Sequence, residues 1–260
     1  MITSPSNERV KLVRALQAQR RAREREGRFV VEGVRLLATA LDAGAQPDLV
    51  LHAPAAEDDP RAAALLARLR AAGAAVLAVS ASVLRVASAT ETPAGLLAVV
   101  PIPAAGPDAG ADLVVVADGL RDPGNLGTLL RTAAAAGAGA VLLAPGTVDA
   151  YNPKTVRAGM GAHFQLAVHA LDWAGLAAAL AGRPVWLAAA RGGLAPWDAD
   201  LRAPLALLVG GEAEGASAAG AALASGRLTI PLARGVESLN AAGAAAMLLY
   251  EVMRQNRGDG

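Results

Sequence analysis

The sequence predicts an α/β protein of two domains, the larger and C-terminal one built on a parallel sheet. Short apolar runs such as Leu113-Val114-Val115-Val116-Ala117 have strand length and are apolar on both faces, as buried parallel strands require. Longer stretches with helical spacing lie between them, the alternation that βαβ units produce. A segment rich in proline and glycine, Pro101 to Gly110, interrupts both patterns and leaves about 100 and about 150 residues on its two sides. The expected division is residues 1–100, a linker at 101–110, and residues 111–260.

The first domain opens with a helix in which Val10, Val13 and Leu16 share one face. Phe29 to Val31 reads as a strand, Val34 to Leu41 as a helix and Asp48 to Leu51 as a strand. Arg61 to Ala71 is again helical, Ala75 to Val79 a strand, and a last strand lies near Leu96 to Val100. In the second domain the strand candidates after Leu113 to Ala117 are Ala140 to Ala144, Val185 to Ala189, Leu205 to Val209 and Leu228 to Ile230. Leu126, Leu129, Leu130, Ala133 and Ala134 make one apolar helical stripe, which Gly137 can end. Ala241, Ala244, Ala245, Leu248, Leu249 and Val252 make another.

Composition narrows the chemistry. Hydrophobic residues are 54% of the chain, enough for a proper core, with alanine supplying many small fillers. Cysteine is absent, which excludes disulfides, thiolate metal sites and cysteine nucleophiles. The three histidines, His52, His163 and His169, lack metal-ligand spacing, so no metal is expected. The polar, basic stretch from Met1 to Arg28 has no signal-peptide pattern. The longest uncharged run, Thr132 to Val148, is broken by Gly137, Gly139, Pro145 and Gly146 and is short for a membrane span. A cytoplasmic protein without membrane partners is expected.

Net charge is only +1, but its distribution is uneven. Arg9, Lys11, Arg14, Arg20, Arg21, Arg23, Arg25 and Arg28 face only Glu8, Glu24 and Glu26. Such a stretch is either a solvated helix face or a source of phosphate contacts.

Three glycine-rich or polar segments follow strands of the second domain, where open α/β sheets bind ligands. The first runs from Asp118 to Thr132 and contains Asp122-Pro123-Gly124-Asn125-Leu126-Gly127. Asn125 can cap the next helix, and Arg131 stands among apolar neighbours nearly two turns later. In the second, Leu207 to Ser217, the pair Gly210-Gly211 lets a ligand approach the backbone, with Glu212 at the mouth of the turn. The third, Ile230 to Asn240, joins a strand end to a Ser238-Leu239-Asn240 step into the final helix. Each segment alone also reads as an ordinary cap or tight turn.

Taken in this order and spacing, the segments resemble the three signature motifs of the SpoU/TrmH family. The resemblance rests on Asp122 to Gly127 with Arg131-Thr132-Ala133, on Gly210-Gly211-Glu212 with Gly215, and on Ile230-Pro231-Leu232 with Glu237-Ser238-Leu239-Asn240. Leu249-Tyr250-Glu251 and Arg254-Gln255 extend it, so that it covers Asp112 to Gln255. Phe29-Val30-Val31-Glu32-Gly33 resembles the family's N-terminal substrate-binding domain, which is similar to ribosomal protein L30e.

The resemblance implies a C-terminal α/β domain of the SPOUT superfamily, closed by a trefoil knot, beside a smaller L30e-like α/β domain. It implies an S-adenosyl-L-methionine-dependent RNA ribose 2′-O-methyltransferase that works as a homodimer, with its active site at the dimer interface. Large-subunit 23S ribosomal RNA is the expected substrate and transfer RNA the alternative. Arg131 is the expected catalytic residue, with Asn125, Glu212, Ser238 and Asn240 positioning the reactants. Leu208, Val209, Gly210, Gly211, Ile230, Leu232, Ser238 and Leu239 are expected around the methyl donor, and Arg9, Lys11, Arg14, Arg21 and Arg25 on the RNA. Where the family continues with a valine and a small polar residue, this chain has Ala241-Ala242-Gly243, so looser helix packing under the donor is expected.

Two other readings compete. A dinucleotide-binding oxidoreductase would carry GxGxxG after a strand, but Gly137-Ala138-Gly139-Ala140-Val141-Leu142 lacks the third glycine and precedes one. A non-catalytic RNA binder of the same fold would have no need of the full set Asn125, Arg131, Glu212 and Asn240.

Overall fold

In the N-terminal part, strand residues alternate between two apolar layers, the period of two that a sheet covered on both faces demands. β1 (Arg28–Glu32) sends Phe29 and Val31 to one layer and Val30 to the other. β4 (Leu96–Pro101) sends Leu96, Ala98 and Val100 to the first and Leu97 and Val99 to the second. With β2 (Leu49–His52) and β3 (Ala75–Ala78) they form a four-stranded sheet in the order β1-β4-β2-β3. Only the β2–β3 pair is parallel.

The first layer is closed by α3 (Val34–Asp42) and α4 (Pro60–Ala71). The second is closed by α1 (Glu8–Ala18) and α5 (Ala81–Ala87). Val10, Val13 and Leu16 are the buried face of α1, as their spacing predicts. The basic stretch is not one helix, however. Gln19 is extended, and α2 (Arg20–Glu26) begins after it. Arg23 then turns inward and donates to the carbonyls of Leu16 and Gln17, the orphan acceptors at the end of α1.

The second sheet is parallel throughout and six-stranded. Its order is β10 (Gly226–Leu228), β8 (Val185–Ala188), β9 (Leu205–Gly210), β5 (Leu113–Asp118), β6 (Ala140–Leu143) and β7 (Ala167–Ala170). Every side chain of β5, β6 and β9 is buried, which explains their unbroken apolar sequences. β7 escapes the pattern because this edge strand is only partly buried and carries His169. β10 was expected at Leu228 to Ile230. It lies two residues earlier, since Thr229 and Ile230 leave the sheet and the Thr229 N–H pairs with the Leu194 carbonyl.

Helix α6 (Pro123–Ala135) packs against α10 (Ala241–Asn256), which also touches β8 and β9. Gly137, left-handed at φ 79°, ends α6 as its position suggests. On the other face lie α8 (Trp173–Ala179) and α9 (Ala218–Leu223).

Residues 1–104, 110–212 and 214–257 are described by this computed structural model. The expected linker at 101–110 therefore lies partly outside the described residues. The chain divides into Met1–Ala104 with Tyr151–Phe164, and the remainder. The structure thus assigns Tyr151–Phe164, including α7 (Pro153–Gly159), to the first unit instead of to 111–260. The cause is aromatic packing, because Phe29 meets Tyr151 at 4.9 Å and Phe164 at 5.8 Å between ring centroids, while Val156 enters the same apolar layer.

Candidate functional site

The C-terminal ends of the parallel strands carry the polar residues of the second unit. After β5, Asp122 caps α6 by accepting from the Asn125 N–H at 2.9 Å, and Pro123 occupies the first helical position. Asn125 was expected to be the cap. Because Asp122 takes that role, the Asn125 amide is free to work at long range.

It donates from Nδ2 to Glu212 Oε1 at 2.7 Å and accepts at Oδ1 from Asn240 Nδ2 at 2.9 Å. Asn240 is itself the N-cap of α10, accepting at Oδ1 from the Ala242 and Gly243 N–H groups. Residues from three separate segments thereby form one directional chain, Asn240 to Asn125 to Glu212. Partial burial pushes the Glu212 carboxyl up. The Asn125 hydrogen bond, with the backbone N–H groups of Glu212 and Arg121, outweighs this and holds it below the ordinary carboxylate range. Glu212 is therefore a charged acceptor at neutral pH.

Glu212 belongs to a loop that closes on itself, with Gly211 and Gly215 exchanging both backbone hydrogen bonds at 3.0 and 3.1 Å. Gly211 must lack a side chain, since a Cβ there would lie 2.6 Å from the Gly119 carbonyl oxygen. A Cβ on Gly210 would lie 2.2 Å from the Ala216 nitrogen. The paired glycines let the loops after β5 and β9 touch.

A cavity of about 530 Å³ opens at the ends of β8, β9 and β10. Val209, Gly210, Gly211, Ile230, Leu232, Ser238 and Leu239 line it, as does Glu212. Leu208, expected among them, does not reach it. β9 alternates, and Leu208 points into the apolar layer with Val116 and Leu187. Ser238 lines the cavity but makes no hydrogen bond with the Asn240–Asn125–Glu212 chain.

Arg131 is exposed on α6, does not border this cavity, and has no hydrogen bond or ion pair among the described residues. Missed from the sequence were Ala188 to Arg191, Arg227, and Ala241 with Ala244, all of which line the cavity. The first group directly follows a parallel strand, the signal that located the other segments. Ala242, in the segment that departs from the family pattern, is buried, so the first turn of α10 packs despite its small side chains.

In the first unit Arg9, Lys11, Arg14, Arg21 and Arg25 are all exposed. Lys11 pairs with Glu8 and Arg25 with Glu26. Arg9, Arg14 and Arg21 have no partner among the described residues. Also among the described residues, no group of three or more metal-binding side chains assembles, and no helix is long and apolar enough to cross a membrane.

Residues 112–250 match the SpoU rRNA Methylase family, and residues 7–98 the MRM3-like substrate binding domain. The human mitochondrial rRNA methyltransferase 3 is 32% identical over 98% of this chain and 74% of its own length. The 23S rRNA (uridine(2479)-2′-O)-methyltransferase of Streptomyces viridochromogenes is 33% identical over 96% of this chain and 90% of its own. Among solved structures, the SpoU methyltransferase AviRb of that organism, in complex with the cofactor AdoMet, superposes with a TM-score of 0.86 at 32% identity, over 96% of this chain and all of that one. An AdoMet-bound rRNA methyltransferase of Sinorhizobium meliloti gives 0.84 at 31% identity, over 99% of this chain and 98% of that one. The fold match supports the trefoil knot that the sequence motifs imply. With sequence, fold and the long-range contacts of its three motifs in accord, the chain belongs to the SpoU rRNA methylase family.

Proposed function

We propose that this protein is an S-adenosylmethionine-dependent RNA ribose 2′-O-methyltransferase acting on large-subunit ribosomal RNA. The observation that carries the reading is the Asn240–Asn125–Glu212 hydrogen-bond chain, with Glu212 on the wall of the 530 Å³ cavity. Relatives named as rRNA methyltransferases support ribosomal over transfer RNA.

The cavity suits the donor. Ile230, Leu232 and Leu239 offer apolar walls to a nucleobase, and the backbone of Val209 to Gly211 offers donors and acceptors that fix its orientation. Arg191, Arg227 and Glu214 add charge for a zwitterionic tail. When bound, S-adenosylmethionine supplies the methyl group together with its own leaving group, a reaction that requires no metal.

The chain's residues supply alignment. Asn240 and Asn125 hold Glu212 as an ionised acceptor, able to orient a hydroxyl. Arg131 is assigned to the developing negative charge or to a neighbouring phosphate, since a guanidinium does not give up its proton. Its exposure, without a partner among the described residues, leaves it available for this task.

A homodimer is part of the proposal. Exposed Met247 and Tyr250 lie one turn apart on α10, the helix packed against α6 that carries Arg131. A second copy covering this face would bury both. Arg9, Arg14 and Arg21 are assigned to phosphate contacts in the first unit.

Transfer of labelled methyl from S-adenosylmethionine to separate ribosomal and transfer RNA pools tests the function. Label recovered from ribosomal RNA as a 2′-O-methyl nucleoside is the expected result. Label in transfer RNA alone overturns the substrate, and no label in either pool, with donor binding intact, favours a non-catalytic RNA binder.

A further inference from the structure

A second cavity of about 440 Å³ lies on the other side of the Gly211–Gly215 loop, at the ends of β5 and β6. Glu212, Gly211, Glu214, Gly215 and Ala216 border both cavities, so this loop is a partition between them. We infer that the second cavity receives the acceptor nucleoside of the RNA, extruded from its strand, so that donor and ribose face each other across the lip of the loop. The inference rests on the proposed function and adds the place where the substrate binds.

Size is the first argument. The volume suits one nucleoside, and small-molecule sites are commonly about 300–1,000 Å³. Sequence-specific RNA recognition targets unstacked nucleotides splayed out of loops and bulges, and such a nucleotide brings its ribose 2′-OH with it.

Charge is the second. The lining is acidic, with Asp118 buried and Glu212 and Glu214 exposed at the edge, which disfavours a phosphate inside and favours hydroxyl and N–H donors, the groups a nucleoside presents. Asp118 is nearly fully buried, its Oδ2 accepting from the Ser217 N–H at 2.7 Å and Oγ at 2.9 Å. The cation on the lining is Arg121, whose exposed guanidinium lies 4.0 Å from Glu214. It stands where the backbone phosphate of an inserted nucleoside would remain outside.

Bare backbone is the third. Gly119 and Gly146 line the cavity with φ of 71° and 87°, and a Cβ built on either meets nothing within 4 Å. The loop that carries Gly119 is held by Thr147, whose Oγ1 accepts from the Gly119 N–H at 3.0 Å and donates to the Ala117 carbonyl at 2.9 Å. The open space is thus bounded by a held wall.

The test uses two substitutions outside the donor cavity. Gly146→Asn puts a side chain into the open space at a φ that asparagine tolerates. Arg121→Glu reverses the charge at the rim. Donor affinity is read by calorimetry without RNA, and KM by methyl transfer to the ribosomal RNA pool that the unmodified protein labels. Gly146→Asn should raise KM for RNA at least about tenfold while donor Kd stays within about twofold. Arg121→Glu should weaken RNA binding about tenfold and lower its salt slope by about one. An unchanged KM in both variants overturns the inference, as does an equal loss of donor affinity in Gly146→Asn. Absence of any methyl transfer by the unmodified protein instead marks failure of the proposed function.

Discussion

Asn125 Nδ2 and Glu212 Oε1 stand 2.7 Å apart although 87 residues separate them in sequence. The bond ties the first turn of α6 to the loop after β9, and its donor residue is held in turn by Asn240. Removing the Asn125 amide should therefore cost alignment more than stability. Asn125→Ala is expected to lower kcat/KM about 100-fold, the usual scale for a misplaced reacting group. A value within about threefold of the unmodified enzyme would refute the positioning role.

The same variant should change the titration of Glu212. Its carboxyl lies below the ordinary value because the Asn125 bond and two backbone N–H groups outweigh partial burial. Without Asn125 the burial effect gains weight and the pKa rises. A depressed folded-state value gives stability that is present above the unfolded carboxylate range and lost as pH falls through the folded value. Asn125→Ala should flatten that dependence, as carboxylate NMR and acid unfolding would read.

Arg131 is expected to serve turnover and not donor binding, because it lies outside the donor cavity. Arg131→Ala should reduce kcat about 1,000-fold with donor Kd unchanged. Arg131→Lys should recover little, since an ammonium lacks the planar fork. Normal turnover in the alanine variant would remove Arg131 from the mechanism.

Two kinds of arginine in the basic N-terminal stretch should separate experimentally. Arg23 is buried and satisfies the carbonyls of Leu16 and Gln17, so Arg23→Ala should cost about 2 kcal/mol in urea unfolding. Arg9, Arg14 and Arg21 are exposed. Reversing all three to Glu should leave the urea midpoint in place and lower the RNA salt slope by about three. Reversal without effect on RNA affinity would return this face to plain solvation.

At the end of α10, Arg254 and then Gln255 hydrogen-bond Glu251 and hold its carboxyl down to about 2. Gln255 also ties Leu201 and Ala199, and Asn256 ties Leu201 and Ala203, so the family's closing residues anchor the loop before β9. The depressed value means stability present above pH about 4.3 and lost as pH falls toward 2. Glu251→Gln should weaken that acid dependence, and an unaltered acid-unfolding curve would show that the anchor carries no such load.

What the sequence determined by itself is local or periodic. Unbroken apolar runs announced β5, β6 and β9 because both faces of a parallel strand are buried. The three motifs announced the family because the donor loops need glycine and cap residues at set offsets. Only the tertiary structure decided which of those residues meet. Asn125 looked like a cap until Asp122 took that place, and Leu208 looked like a donor contact until the β9 alternation turned it into the core. Arg23 looked like its neighbours until the break at Gln19 turned it inward, and Tyr151–Phe164 joined the first unit through its rings. Each of these outcomes depends on strand order and on packing between distant segments, and such contacts leave no period in a linear sequence.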